Sequence, residues 1–258
     1  MTEHPSFGVL LARLSRHRGL DIAGLSRAAQ VPEPELKAVL DGAVPSPSLL
    51  QQIATAFSLH TADILVIAGL PVPDDLAPLD MKASSEVDKV VRYAIGLHAE
   101  QRRQLREYVH SLPQRDRSQH VQMLPVYEQY EPSFGAMIAR MLRNRNLDWS
   151  SSAKVLFRLT GIGPLSASTV GAIGHGRKEL SPELLVGFAT VLAISAGDLA
   201  ALTGIDLGDR LMPASPASAD VAGLIWDIRR LTADQMRQVC DAAKSNSLPK
   251  GAPENTDK

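Results

Sequence analysis

The chain has 258 residues, a formal net charge of −1, 45% apolar and 21% charged residues, proportions that suggest two domains with packed cores and exclude a wholly disordered chain. Aromatics are only 4%, so Leu, Ala, Val and Ile must fill the core, which favours an all-α fold over a β-sandwich. Near-neutral charge excludes a polybasic or an acidic solvating chain but leaves DNA binding open, because affinity comes from local charge.

In chain order, Phe7, Leu10, Leu11 and Leu14 recur at helical spacing with arginines opposite, predicting a helix that ends near Gly19. Asp21 is placed to cap a second helix, whose Leu25 and Ala28 or Ala29 face inward. A third helix is expected over residues 32–41, stopped by Gly42, with a fourth over 48–57 and a fifth over 61–68. The stretch PVPDDLAPL, from Pro71, separates this unit from a helical pair or one long helix over 85–112.

The same order then recurs. FGVLLARLSRHRGLD (7–21) matches FGAMIARMLRNRNLD (134–148) at an offset of 127. Leu25, Arg27 and Val31 align with Leu156, Arg158 and Ile162 at 131. Leu36, Val39 and Gly42 align with Val170, Ile173 and Gly176 at 134. Pro47, Leu49, Leu50, Ala54, Leu59 and Asp63 align with Pro182, Leu184, Leu185, Ala189, Ile194 and Asp198 at 135. Offsets that drift only at turns mark a tandem duplication. The chain therefore divides into a first five-helix unit (1–70), a Pro-rich spacer, helical extension and linker (71–130), a second unit (131–205), a second spacer and extension (206–245), and a polar tail (246–258) expected to be disordered. In the extensions, Val87, Val90, Val91, Ile95, Leu105 and Val109, with Val221, Leu224, Ile225, Ile228 and Val239, form apolar stripes. These suit either an internal core or a homodimer seam.

In the second unit, SASTVGAIGHG (166–176) reads as a helix begun by a small polar residue. Val170 and Ile173 point inward, Gly176 closes it, and Ser168, Ala172 and His175 form one outward stripe. Gly161 followed by Ile162 supplies the turn before it. Two helices joined by a Gly-plus-apolar turn, with one helix before and two after, resemble the Cro/CI-type (XRE, lambda-repressor-like) helix-turn-helix regulators. VGAIGHG and FATVLAISAGDL (188–199) are similar to the recognition-helix end and fourth helix of that family.

The resemblance implies a sequence-specific DNA-binding regulator of transcription, a repressor, whose partner is a double-stranded operator; the single cysteine and the absence of a signal peptide make a cytoplasmic chain the expectation, with no cofactor and no metal. It places Ala167, Ser168, Thr169 and Ala172 at base edges, and Ser166 as a helix cap orienting amides toward phosphate. His175, Arg177 and Lys178 fall near the DNA backbone, as do Arg140, Arg143 and Arg145 of the first helix and its end. In the first unit the corresponding contacts are Lys37, Arg16 and Arg18. Where the family's second helix often begins with Gln, this chain has Ile22 and Trp149. Two copies in one chain also suit an intramolecular pseudo-dimer reading unequal half-sites.

Charge separates the copies. Residues 7–70 hold five Lys or Arg against five Asp or Glu, whereas 134–205 hold seven against four. The first copy's third helix carries Glu33, Glu35 and Asp41, which phosphate repels, so direct readout is expected from the second copy. Two other readings stay open: a protein-interaction adaptor or antirepressor, and non-specific DNA binding through a helix-hairpin-helix-like Gly161–Ile162–Gly163 turn. The chain has no P-loop, GxSxG or HExxH motif, and its one cysteine, Cys240, excludes a CxxC site, so no enzyme is expected. Arg13, Arg16 and Arg18 interrupt the first twenty residues, unlike a signal peptide, and no run of eighteen apolar residues predicts a membrane span.

Overall fold

In a computed structural model, residues 4–114, 126–210 and 214–247 are described, and among them every regular element is helical. The first unit comprises α1 (Phe7–His17), α2 (Ile22–Ala29), α3 (Glu33–Leu40), α4 (Pro47–Ala56) and α5 (Thr61–Ile67). The first extension is a pair, α6 (Ser84–Ala94) and α7 (Ala99–Ser111). The second unit comprises α8 (Phe134–Arg143), α9 (Trp149–Thr160), α10 (Ala167–Gly174), α11 (Pro182–Leu192) and α12 (Ala196–Thr203). The second extension is again a pair, α13 (Pro216–Ile228) and α14 (Ala233–Ser247). Helix thus continues two residues into the segment expected to be a disordered tail; its remainder, 248–258, lies outside the described residues.

The duplication is visible in the local chemistry that starts and stops each helix. Asp21 Oδ1 accepts from the Gly24 amide at 2.6 Å, and Asp148 Oδ1 from the Ser151 amide at 2.7 Å. The turn after the second helix is left-handed in both copies, at Gln30 (φ 56°) and at Gly161 (φ 74°). The first helix touches the third so closely that only glycine fits. A Cβ on Gly8 would lie 2.5 Å from the Val39 carbonyl oxygen, and one on Gly135 2.0 Å from that of Ile173. Two insertions distinguish the second unit: α9 has 12 residues against 8 in α2, and a longer turn precedes α10; Trp149 itself stands where the first unit has Ile22.

The two units then clasp one another crosswise. α1 packs on α12, and α8 packs on α5, so the first helix of each copy lies on the fifth helix of the other. The same ion pair joins both contacts. Arg18 donates to Asp198 at 2.7 and 2.5 Å, and Arg145 donates to Asp63 at 2.8 Å through each of two nitrogens. Arg18 and Arg145 are related by the 127 offset, Asp63 and Asp198 by 135. Neighbouring positions repeat the relation: Asn144 donates to the Ala62 carbonyl at 3.3 Å, and His17, its counterpart, lies against Gly197, the counterpart of Ala62. Such reciprocity is what a two-fold interface between identical subunits would show.

The extensions cross in the same sense, α6 on α14 and α7 on α13. All the stripe residues named above are buried there except Ile95, which is half-buried. Since those stripes are covered within one chain, they are not available as a seam between two chains. The resulting four-helix bundle rests on the second unit, α6 against α9 and α13 against α11, with Arg158 Nε 2.7 Å from Asp88. Toward the first unit it offers Trp226, stacked on His60 with ring centroids 3.5 Å apart and also met by the Arg229 guanidinium. Burial, aided by Arg145 and Arg229 and opposed by Asp63 and Asp227, pushes the His60 imidazole down to about 4.

Two outcomes follow for stability. Asp63→Asn strands Arg145, which is fully buried, and is expected to cost about 3–5 kcal/mol in urea unfolding. Arg18→Ala is expected to cost only about 1–2 kcal/mol, because Arg18 is 42% exposed and water reaches Asp198 in its place. Equal losses would contradict the assignment. Above pH 6.5 His60 is neutral in folded and unfolded chains alike. As pH falls from about 6.5 to about 4, only the unfolded chain takes up the proton, so stability should drop by on the order of 2–3 kcal/mol. A His60→Phe variant should lose that part of the pH dependence in thermal melts.

Candidate nucleic-acid interface

α10 begins at Ser166, whose Oγ accepts from the Thr169 amide at 3.2 Å and shares hydrogen bonds with the Ser168 and Thr169 hydroxyls at 2.8 and 3.0 Å. Ser166 and Ser168 are exposed; Ala167, Thr169 and Ala172 are half-buried. Val170 and Ile173 lie in the core, as their spacing predicts. Arg177 and Lys178 follow the helix, exposed, with both amides donating to the Ala172 carbonyl.

The far half of the outward stripe is covered. A short 3-10 turn, Val126–Glu128, and the residues after it bring Tyr127 and Tyr130 against α10. His175 Nε2 lies 2.9 Å from the Tyr127 carbonyl oxygen, and its ring meets Tyr130 edge-on at 4.8 Å. Trp149 donates its indole N–H to the Tyr130 hydroxyl at 2.7 Å and meets Tyr127 edge-on. Gly171 and Gly174 make room for these rings: a Cβ at either would come within 2.7 Å of Trp149 or Tyr130. His175 is therefore a packed member of an aromatic cluster. Neither tyrosine was singled out in the sequence; the signal was two glycines, three apart, on a helix preceded by the unassigned run YEQY.

The arginines divide sharply. Arg145 must be removed from the set of phosphate contacts, because it is fully buried and held by Asp63 and by the carbonyls of Met141 and Leu192. Arg18 is held by Asp198, which raises its already high pKa through the hydrogen bonds. Arg143 lies 3.3 Å from Glu128, and Arg140 donates to the Tyr130 carbonyl at 2.9 Å. Burial pushes both the Glu128 carboxyl and the Tyr130 phenol up. Of the seven basic residues in the second unit, Lys154, Arg177 and Lys178 are exposed without an ion pair among the described residues. Lys154 was missed because nothing in its spacing sets it apart.

In the first unit, Arg16 and Lys37 are exposed, and so are Glu33, Glu35 and Asp41. The helix-hairpin-helix alternative needs free amides in the Gly161–Ile162–Gly163 turn, but the Ile162 amide donates to the Thr160 hydroxyl at 3.2 Å. Among the described residues no cluster of His, Cys, Asp or Glu is arranged to hold a metal ion, and no helix is long and apolar enough to cross a membrane. Comparison of the chain with protein-family models, with curated proteins and with solved structures found no match.

Gly171→Ala would drive a methyl into the Trp149 ring, so the indole should leave Tyr130. The expected readout is a red-shifted Trp emission, with helix content by circular dichroism unchanged; an unshifted spectrum would mean that the ring does not rest on α10.

Proposed function

We propose that the chain is a sequence-specific DNA-binding regulator of transcription, a repressor, that reads a duplex chiefly with its second unit. The observation that carries this reading is the hydroxyl end of α10, with Ser166 and Ser168 exposed and Thr169 half-buried, together with two exposed cations, Arg177 and Lys178, that have no ion pair among the described residues and lie just past the helix's other end. Hydroxyls and small side chains at a helix N-terminus suit base edges and thymine methyls, and flanking cations suit phosphates. Lys154 adds a third cation on the preceding helix. The reciprocal packing of the two units supports a built-in pseudo-dimer whose half-sites differ, because the two third helices differ in charge.

A protein-interaction role is the second reading. It is favoured by the acidic, exposed face of α3 and by Val44 beyond it, which is 82% exposed. Acidic side chains there repel phosphate but would suit a basic partner surface.

Selection from a random duplex pool, followed by binding measurements on the enriched sequence, separates the two. DNA binding through Lys154, Arg177 and Lys178 should give a shallow slope of log K against log salt, about −3. Ser168→Ala and Arg177→Ala should each weaken binding about tenfold, whereas Arg145→Ala should act only through stability. Lys37→Ala and Arg16→Ala should change affinity less than about twofold. No enrichment from the pool, or losses confined to Lys37 and Arg16, would defeat the reading.

A further inference from the structure

Where the first unit's end meets the second unit lies a cavity of about 490 Å³. Its apolar walls come from both sides of the clasp: Val66, Leu70 and Val72 from the end of α5 and the spacer, Leu142, Trp149 and Val170 from α8, α9 and α10. Six polar side chains line it: Glu128, Tyr130, Arg140, Arg143, Asn144 and Ser152. That size, with apolar walls and few polar groups, is typical of small-molecule sites.

The duplication explains why the space exists on this side. In the corresponding corner across the pseudo-two-fold axis, Arg13 reaches over to the Leu202 carbonyl at 3.1 Å and lies beside Gly204. Its counterpart Arg140 turns instead to the Tyr130 carbonyl, and Gly69, the counterpart of Gly204, is left on the cavity wall. Two of the polar lining groups are guanidinium groups, on Arg140 and Arg143. Arg143 Nε itself is sealed from solvent beside Glu128, at 3.3 Å. A guanidinium on a cavity wall can take a carboxylate through its paired N–H groups, a charge-assisted contact stronger than a neutral one. Two guanidinium groups against one carboxylate leave the lining with a net positive charge.

We propose that this cavity binds a small apolar monocarboxylate, its hydrocarbon part between Leu70, Trp149 and Val170 and its carboxylate on Arg143. The ligand would bridge the first unit's exit to the helix pair that carries α10, so its binding would bear on how that pair is held. The site stands whether or not the chain reads DNA.

The test is calorimetric titration of the full chain with sodium octanoate, with octanol as the uncharged control and Trp emission followed in parallel. Octanoate should bind with a Kd below about 1 mM and alter the emission, and octanol should bind about tenfold more weakly or worse. Arg143→Gln should remove that preference while leaving octanol binding in place, which shows that the variant is folded. Leu70→Phe, which fills the space from a half-buried position, should weaken both ligands. Absence of octanoate binding at about 5 mM overturns the proposal. Equal affinity for octanol overturns the carboxylate assignment, and unchanged octanoate binding in both variants places the ligand elsewhere.

Discussion

One ion pair, made twice, joins the halves of this molecule. An arginine just past the first helix of each copy reaches an aspartate on the fifth helix of the other. Breaking a buried pair leaves an uncompensated charge, so each pair holds together both helices it joins. Arg145 illustrates the extreme: Asp63 and two backbone carbonyls hold a guanidinium that has no contact with solvent. Around these pairs the extensions cross in the same sense, so the whole chain behaves like a two-fold dimer whose subunits were joined by a linker.

Joining has freed the copies to diverge. A homodimer must keep both sides alike, whereas here only one side has lost solvent access. The second unit gained a helical turn, a tryptophan in place of Ile22, a longer turn before α10, and two tyrosines from the linker that join that tryptophan over two glycines. The result is one aromatic-covered helix and one acidic, open helix at equivalent places. Divergence also turned Arg140 away from its counterpart's position and left a cavity at one corner of an otherwise repeated contact.

Much of this was legible in residue order. The helices, the caps at Asp21 and Ser166, and both five-helix units follow from apolar spacing and from the drift of the offsets; each extension was legible as helical, but not as a pair rather than one long helix. Burial of Val170 and Ile173 was legible for the same reason, since period alone decides which side of a short helix faces inward. The aromatic cluster was not legible, because its members come from a linker, a helix start and a helix end. Their meeting depends on the angle between elements.

The arginines mark the boundary most clearly. Their alternation with leucines establishes that they leave the local core of their own helix, and nothing in the order of residues goes further. Whether such a side chain meets solvent or a carboxylate depends on a neighbour 82 or 180 positions away. Arg16 and Arg18, two residues apart, thus differ in fate, and Arg145, read as a surface cation, is among the most buried side chains in the chain. Periodicity reports which way a residue points from its own helix; only the packing of one copy on the other decides what it then meets.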